Sequence, residues 1–344
     1  MEEPNIIVVH GCNFDCLHCV VSKTCDFSYI SINIFKKIIK ELSELGFNLI
    51  GIIGAGEPTL HPYFDELMRI CVRYGIKVDI LTNGWFFKEK LVPILEDEYL
   101  SKAILRIGFS LDAPREKLHD NIRRKGSFEK IMEAISYAAL LEIPVYLKVA
   151  IRKSNMHLID EIIKFGISIG VEQVRFISTM PTERLIKSND IPSPKTIKYK
   201  IMPKLNMLQD ISDGYVFWEG WQFDQTSPIF PCNGFSKFDI DWNGYSVFCS
   251  MLSKTGTDPF NNEREVSLEN CSFVDAISYH FNMLSKIVEW RLKAKELIKS
   301  GKYPICYWCY YQFGRISWLT KYPESPWAKG VIEAYTKGIK PMAE

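Results

Sequence analysis

Long hydrophobic runs are missing from this 344-residue chain: stretches such as Leu49 to Ala55 fall far short of the roughly 20 residues that span a bilayer. No membrane-crossing segment is expected. The N-terminus, Met1-Glu2-Glu3-Pro4, has neither the basic start nor the apolar run of a secretion signal, so a cytoplasmic location is expected. Low-complexity segments are absent, as is any repeat beyond a recurring strand-helix unit. Charge of one sign is not in excess either: 42 Lys plus Arg face 41 Asp plus Glu, a formal charge of +1. Such a balance gives no field to gather a polyanion, which argues against nucleic acid and anionic membrane as partners. What the chain does have is 47% apolar residues, enough for a full-sized core, and ten cysteines. In a reducing compartment, cysteines in that number point to metal ligands rather than disulfides.

From Asn5 to Ser178 an apolar strand-like run is followed by an amphipathic helical stretch about six times over. The strands are predicted at Ile6 to His10, Leu49 to Gly54, Lys77 to Asn83, Ala103 to Ser110, Val145 to Ile151 and Val171 to Ser178. Parallel strands need crossover helices, and six right-handed units curl into a partial (β/α)6 TIM-like barrel with its chemistry at the strands' C-terminal ends. After Ser178 the pattern breaks. A barrel domain over 1–190 is expected, then a connecting helix near Thr196 to Gln209 and a small α+β extension over 191–344. The extension is rich in aromatics, with a hairpin from Phe238 to Cys249 turning at Asn243-Gly244 and a long helix from Phe273 to about Ser300.

Cys12, Cys16 and Cys19 follow the first predicted strand with three and then two residues between them. A short loop of that spacing can curl round one face of a cubic cluster. Three thiolates leave one iron of a 4Fe-4S cluster open to a non-protein ligand. Zinc is the competing occupant, with His10 or His18 as a fourth ligand.

The spacing resembles the radical S-adenosylmethionine superfamily, and further motifs of that family follow in order. Gly54-Ala55-Gly56-Glu57-Pro58 is similar to its Gly-Gly-Glu-Pro segment, with Ala55 in place of a glycine. Leu81-Thr82-Asn83-Gly84, Ser110-Leu111-Asp112 and His119-Asp120 with Arg123 come next. The resemblance implies that Gly56, Glu57, Asn83, Ser110, Asp112 and Arg123 form the S-adenosylmethionine site, Arg124 competing with Arg123 for its carboxylate. His18 would lie on the adenine side.

Strand alternation sorts the barrel side chains independently of the resemblance. Leu105, Ile107, Phe109 and Leu111 are predicted to meet the helices, leaving Arg106, Gly108, Ser110 and Asp112 inside. The same rule turns Asp79, Tyr146, Lys148, Gln173 and Arg175 inward. Asp79 and Arg106 suit an ion pair. Lys148 and Arg175, without an acidic partner on these strands, are the candidates for contacting substrate.

Cys232, Cys249, Cys306 and Cys309 form a second group that resembles the twitch and SPASM extensions, which hold auxiliary 4Fe-4S clusters; no cysteine follows Cys309. A four-cysteine zinc site is the alternative. Cys25, Cys71 and Cys271 remain, each readable as a small apolar filler, with Cys25 closest to the radical site and a candidate hydrogen-atom donor.

The class implies an oxidoreductase in which S-adenosylmethionine is cleaved to a 5′-deoxyadenosyl radical, with an electron donor such as flavodoxin or ferredoxin. The polar barrel mouth and the short N-terminus lean towards dehydrogenation of a polar small molecule such as a sugar or aminocyclitol. The alternatives are oxidative modification or cross-linking of a ribosomally made peptide, a radical epimerase, and a non-radical electron carrier.

Overall fold

Short runs rich in Ile and Val build one parallel sheet in the computed structural model, which describes residues 3–20, 27–219, 237–249 and 267–342 together with Phe223, Phe235 and Leu252. Its strands are β1 (Leu49–Ile52), β2 (Lys77–Thr82), β3 (Ile104–Ser110), β4 (Val145–Ile151), β5 (Gln173–Ser178) and β6 (Val216–Glu219). They lie side by side in chain order, every neighbouring pair parallel. Such pairing forces a crossover between strands. Helices α2 (Phe64–Arg73), α3 (Ser127–Leu140), α4 (Ile159–Ser168) and α5 (Met202–Ile211) supply four of them, while α1 (Ile32–Glu44) leads into β1. The result is the partial (β/α)6 barrel expected from the sequence.

Two strands differ from expectation. The run from Ile6 to His10 forms no continuous ladder, because its backbone alternates between two neighbours. Ile6 N donates to Gly51 O at 2.8 Å and Ile7 N to Ile240 O at 2.9 Å, so the segment is wedged between β1 and the C-terminal hairpin. Only Val9–His10 pairs as a strand, antiparallel with Ser28–Tyr29. The sixth strand of the sheet is β6, which lies within the aromatic-rich stretch expected to belong to the extension. Four residues with two aromatic neighbours carry too little periodicity to be read as a strand alone.

Helix α1 shows how the helices are fixed. Ser31 caps it by accepting from Ile34 N at 3.2 Å. Phe35, Ile38, Ile39 and Leu42, at helical spacing, are fully buried. Burying each contributes about 2 kcal/mol.

Alternation holds from Arg106 onward, but Leu105, expected to meet the helices, is exposed where the register with β2 shifts and skips it. Ile107 and Phe109 are buried outward, while Arg106 and Ser110 face the barrel interior and are partly exposed. Gly108 is needed there, since a Cβ would stand 2.2 Å from Tyr146 Cζ. Its missing side chain is the space that the Tyr146 ring fills.

In the C-terminal part, β7 (Asp239–Ile240) and β8 (Ser246–Val247) form the predicted hairpin, turning through Gly244 at φ +79°. Helix α6 (Phe273–Lys293) opens with a capping box between Ser272 and Asp275, and α7 (Ile305–Gln312) carries the last cysteine pair. One continuous core runs from Ile6 to Ala334. Among the described residues no helix is long and apolar enough to cross a membrane.

Candidate active site

The cysteine loop leaves Val9–His10 through Gly11, at φ +118°, and is pinned from several sides. Cys19 N donates to Cys16 O at 3.0 Å. Arg184 Nη2 donates to Cys16 O at 2.8 Å and Thr182 Oγ1 to Leu17 O at 3.1 Å. Arg124 Nη1 donates to Asn13 O at 3.1 Å, its guanidinium stacked 3.9 Å from the Trp85 ring centre. Asn83 Nδ2 donates to Asn13 Oδ1 at 2.8 Å and lies 3.7 Å from Cys12 Sγ. The Leu81-Thr82-Asn83-Gly84 segment thus touches the loop directly.

Burial pushes the Cys12 thiol well above its ordinary pKa, with Glu57 adding to the rise. Burial also lifts Cys16 to about 11, although Arg123 opposes it. Both thiols are protonated without a metal, and a cluster would release those protons on binding. Among the described residues no three His, Cys, Asp or Glu side chains close to single-ion spacing. Three thiols on one hydrogen-bonded loop are the donor chemistry that a 4Fe-4S cluster takes.

Facing the loop is the turn after β1. Gly56 pairs with Gly11 as an isolated bridge, and a Cβ on Gly56 would stand 2.4 Å from Gly11 O and 2.5 Å from Val9 O. Only glycine fits. The methyl of Ala55, at the position where the family carries glycine, packs with Ile7 and Trp242 in a small apolar group. Glu57 points away from the opening. Its carboxylate accepts from Thr59 Oγ1 at 2.7 Å, Thr82 Oγ1 at 2.6 Å and Asn83 N at 2.7 Å. Complete burial raises its pKa in spite of these bonds. Glu57 therefore ties the end of β1 to the end of β2.

Asp112, fully buried beyond β3, organises the other side. It accepts from Arg123 Nε at 2.8 Å, Arg123 Nη2 at 3.2 Å and Ala150 N at 2.8 Å. Burial alone would raise its pKa, but Arg123 and His18 hold it well below the usual carboxylate range. His18 lies 4.0 Å from Asp112, and burial lowers its pKa to about 3. Its imidazole is neutral, and Nδ1 has no hydrogen-bond partner among the described residues. Arg123 is buried against Asp112, whereas Arg124 lies outside on Trp85. Arg152, which the sequence reading did not single out, is also buried here and pairs with Asp190 at 3.1 Å. A basic residue directly after a predicted strand was the signal available for it.

Inside the barrel, Asp79 and Arg106 form the anticipated ion pair at 2.7 Å, and Tyr146 Oη donates to Asp79 at 2.9 Å. The expectation for Arg175 needs correcting, and Lys148 finds a partner outside the predicted strands. Lys148 does have an acidic partner, Glu219 on β6, and Arg175 lies 3.9 Å from Asp79 with its guanidinium 4.0 Å from the Tyr146 ring centre. Glu219 lies on a strand outside the predicted set, whereas Asp79, assigned to Arg106 alone, is reached by Arg175 as well. Ser110 is in register with Lys148 and Lys148 with Arg175, so these three share one level of the interior.

The second cysteine group is partly described. Cys25 and Cys232 lie outside the described residues. Cys249 ends the hairpin, while Cys306 and Cys309 stand one turn apart on α7. The phenol of fully buried Tyr310 feels Cys249, Cys306 and also Cys19, so one side chain lies within electrostatic reach of both cysteine groups. Arg291 Nη2 donates to Cys309 Sγ at 2.9 Å. Cys71 is buried in the α2 core, and Cys271 is partly buried at the turn before α6.

A half-barrel of parallel strands with a three-cysteine loop against the ends of β1 and β2 defines a class of cluster-dependent enzymes. Residues 6–166 match the family model of the Radical SAM superfamily. The cofactors of that superfamily are S-adenosylmethionine and the 4Fe-4S cluster that binds it. The chain is 24% identical over 184 residues to an AdoMet-dependent heme synthase of Methanosarcina barkeri (strain Fusaro / DSM 804), covering 53% of this chain and 51% of that one. It is 31% identical over 151 residues to the antilisterial bacteriocin subtilosin biosynthesis protein AlbA of Bacillus subtilis (strain 168), covering 43% of this chain and 33% of AlbA. The chain thus spans between a third and about half of these relatives. Its fold is similar to that of Streptococcus suis SuiB bound to precursor peptide SuiA, with a TM-score of 0.59 and 16% identity, over 74% of this chain and 61% of SuiB.

Proposed function

We propose that this protein is a radical S-adenosylmethionine enzyme that oxidatively modifies a peptide. The observation that carries the radical chemistry is that Asn83, itself held by Glu57, and Asp112, held by Arg123, both reach the segment that carries Cys12, Cys16 and Cys19, at Asn13 and His18. Those three thiols would hold the first cluster. When bound, the reduced cluster and S-adenosylmethionine supply a 5′-deoxyadenosyl radical with release of methionine.

The chain's own part is positional. The Gly56 backbone is free of side-chain bulk and available to the amino group of S-adenosylmethionine, while Ser110, Arg123 and neutral His18 line the opposite wall. Lys148, Glu219 and Arg175 line the interior next to Ser110 and would orient the substrate. Cys249, Cys306 and Cys309, with Cys232, would hold an auxiliary cluster, and a second redox centre favours oxidation over isomerisation. An external one-electron donor of the flavodoxin or ferredoxin kind completes the requirement.

For the substrate, the likeness to a bacteriocin biosynthesis protein and to a fold solved with a precursor peptide supports a peptide over the sugar or aminocyclitol suggested by the polar mouth. The test has two arms. Iron is counted after anaerobic reconstitution of the protein and of its Cys12, Cys16 and Cys19 triple alanine variant. About eight irons in the first and about four in the second are expected, with 5′-deoxyadenosine formed only by the first. Deuterated peptide and deuterated sugar fractions are then compared as deuterium sources for 5′-deoxyadenosine. Label from the sugar fraction alone would overturn the peptide assignment.

A further inference from the structure

Helix α6 buries a face made of Phe273, Ala276, His280, Met283, Leu284, Ile287, Trp290 and Arg291. At the last of these positions the pattern calls for an aliphatic residue, and the chain carries a guanidinium that is 1% exposed. Removing such a charge from water costs several kcal/mol unless it is hydrogen-bonded. Here Nη2 donates to Cys309 Sγ at 2.9 Å, and the Phe235 ring centre stands 5.2 Å from Cζ. Cys309 is itself buried, one turn of α7 beyond Cys306. A cation at the end of one helix thus addresses a candidate ligand sulfur on another.

We propose that Arg291 is a positioning residue of the auxiliary cluster, fixing the Cys309 sulfur and raising the cluster's reduction potential through its hydrogen bond. This rests on the reading that Cys249, Cys306 and Cys309 hold that cluster. Reduction adds negative charge to a cluster, and a donor on a ligand sulfur stabilises the more negative state. In a buried setting the interaction is little screened by salt. The guanidinium fork also sets a direction that a lysine ammonium does not.

The experiment uses the full chain with Cys12, Cys16 and Cys19 replaced by alanine, so that only the auxiliary cluster is present. Arg291→Met and Arg291→Lys are introduced into it, iron is counted, and the midpoint is measured by potentiometric titration followed by electron paramagnetic resonance. At the potential where the parent is half reduced, Arg291→Met is expected to be about tenfold less reduced, equivalent to about 59 mV for a one-electron couple. Arg291→Lys is expected to lie between. Full iron with the parent's midpoint in both variants overturns the proposal. If Arg291→Met does not fold, Arg291→Lys decides: a lowered midpoint supports the role and an unchanged midpoint and spectrum reject it. A parent that binds no iron with Arg291 intact refutes the auxiliary-cluster reading itself, and the Arg291 role with it.

Discussion

Asn83 donates its backbone N–H to Glu57 Oε2 at 2.7 Å, while its side chain donates to Asn13 Oδ1 at 2.8 Å. One residue at the end of β2 therefore connects the Glu57 turn after β1 to the cysteine loop. Segments far apart in the sequence become a single hydrogen-bonded unit. Glu57→Ala would leave Thr82 Oγ1 and the Asn83 N–H buried without their acceptor, at about 1–3 kcal/mol for each unsatisfied group. Thermal unfolding of the metal-free protein should show a lower midpoint, and calorimetric titration of the reconstituted protein a large loss of S-adenosylmethionine affinity. Unchanged affinity would mean that the turn keeps its shape without Glu57.

Gly108 and Tyr146 are coupled by space rather than by a bond. Gly108→Ala places a Cβ 2.2 Å from the Tyr146 ring, which cannot move freely because Tyr146 Oη donates to Asp79. Overpacking of this kind costs about 1–3 kcal/mol. Urea unfolding should show that cost in the wild-type background and much less of it when Tyr146 is already alanine. Additive effects in the double variant would mean that the two side chains do not compete for the same space.

Much of this frame was legible in the sequence, because it depends on period and spacing. Inward and outward alternation on β3 followed from the order of Arg106, Ile107, Gly108 and Phe109, and the hairpin turn from Asn243-Gly244. Contacts set by tertiary closure were not legible. Glu219 reaches Lys148 only because the short strand β6 joins the sheet, and Arg291 meets Cys309 only because two helices of the extension cross. The wedge at Ile6 and Ile7 depends on a hairpin more than 230 residues away. Local pattern carries no information about such partners.

Acid should weaken the protein through a buried histidine. His119 is completely buried, accepts from Asp112 N at 3.2 Å and has its pKa lowered by burial, then by Arg123, to about 4. In the unfolded chain it takes up a proton near pH 6.5. The unfolded state therefore binds more protons between about pH 6.5 and pH 4, so the stability it contributes is complete above that window and falls as pH drops through it. At pH 5.5 the loss from this one residue is about 1 kcal/mol relative to pH 7.5. Urea unfolding of the metal-free protein at the two pH values should show a steeper fall for wild type than for His119→Gln. Equal slopes would remove His119 as the source.

The Lys148 and Glu219 pair separates cofactor chemistry from substrate chemistry. Among the described residues neither side chain hydrogen-bonds to the cysteine loop or the Glu57 turn, yet Lys148 is in register with Ser110 on the barrel interior. If the pair orients the substrate, Lys148→Met and Glu219→Gln should leave S-adenosylmethionine affinity and slow substrate-free formation of 5′-deoxyadenosine within about twofold of wild type. Product formation should fall by a factor of about 100, the scale expected when a reacting group is misplaced by about an ångström. The ratio of 5′-deoxyadenosine to product, followed by chromatography under dithionite, is the readout. A parallel fall in both would place the pair in the cofactor frame instead, and an unchanged ratio with full activity would make it a structural link between β4 and β6.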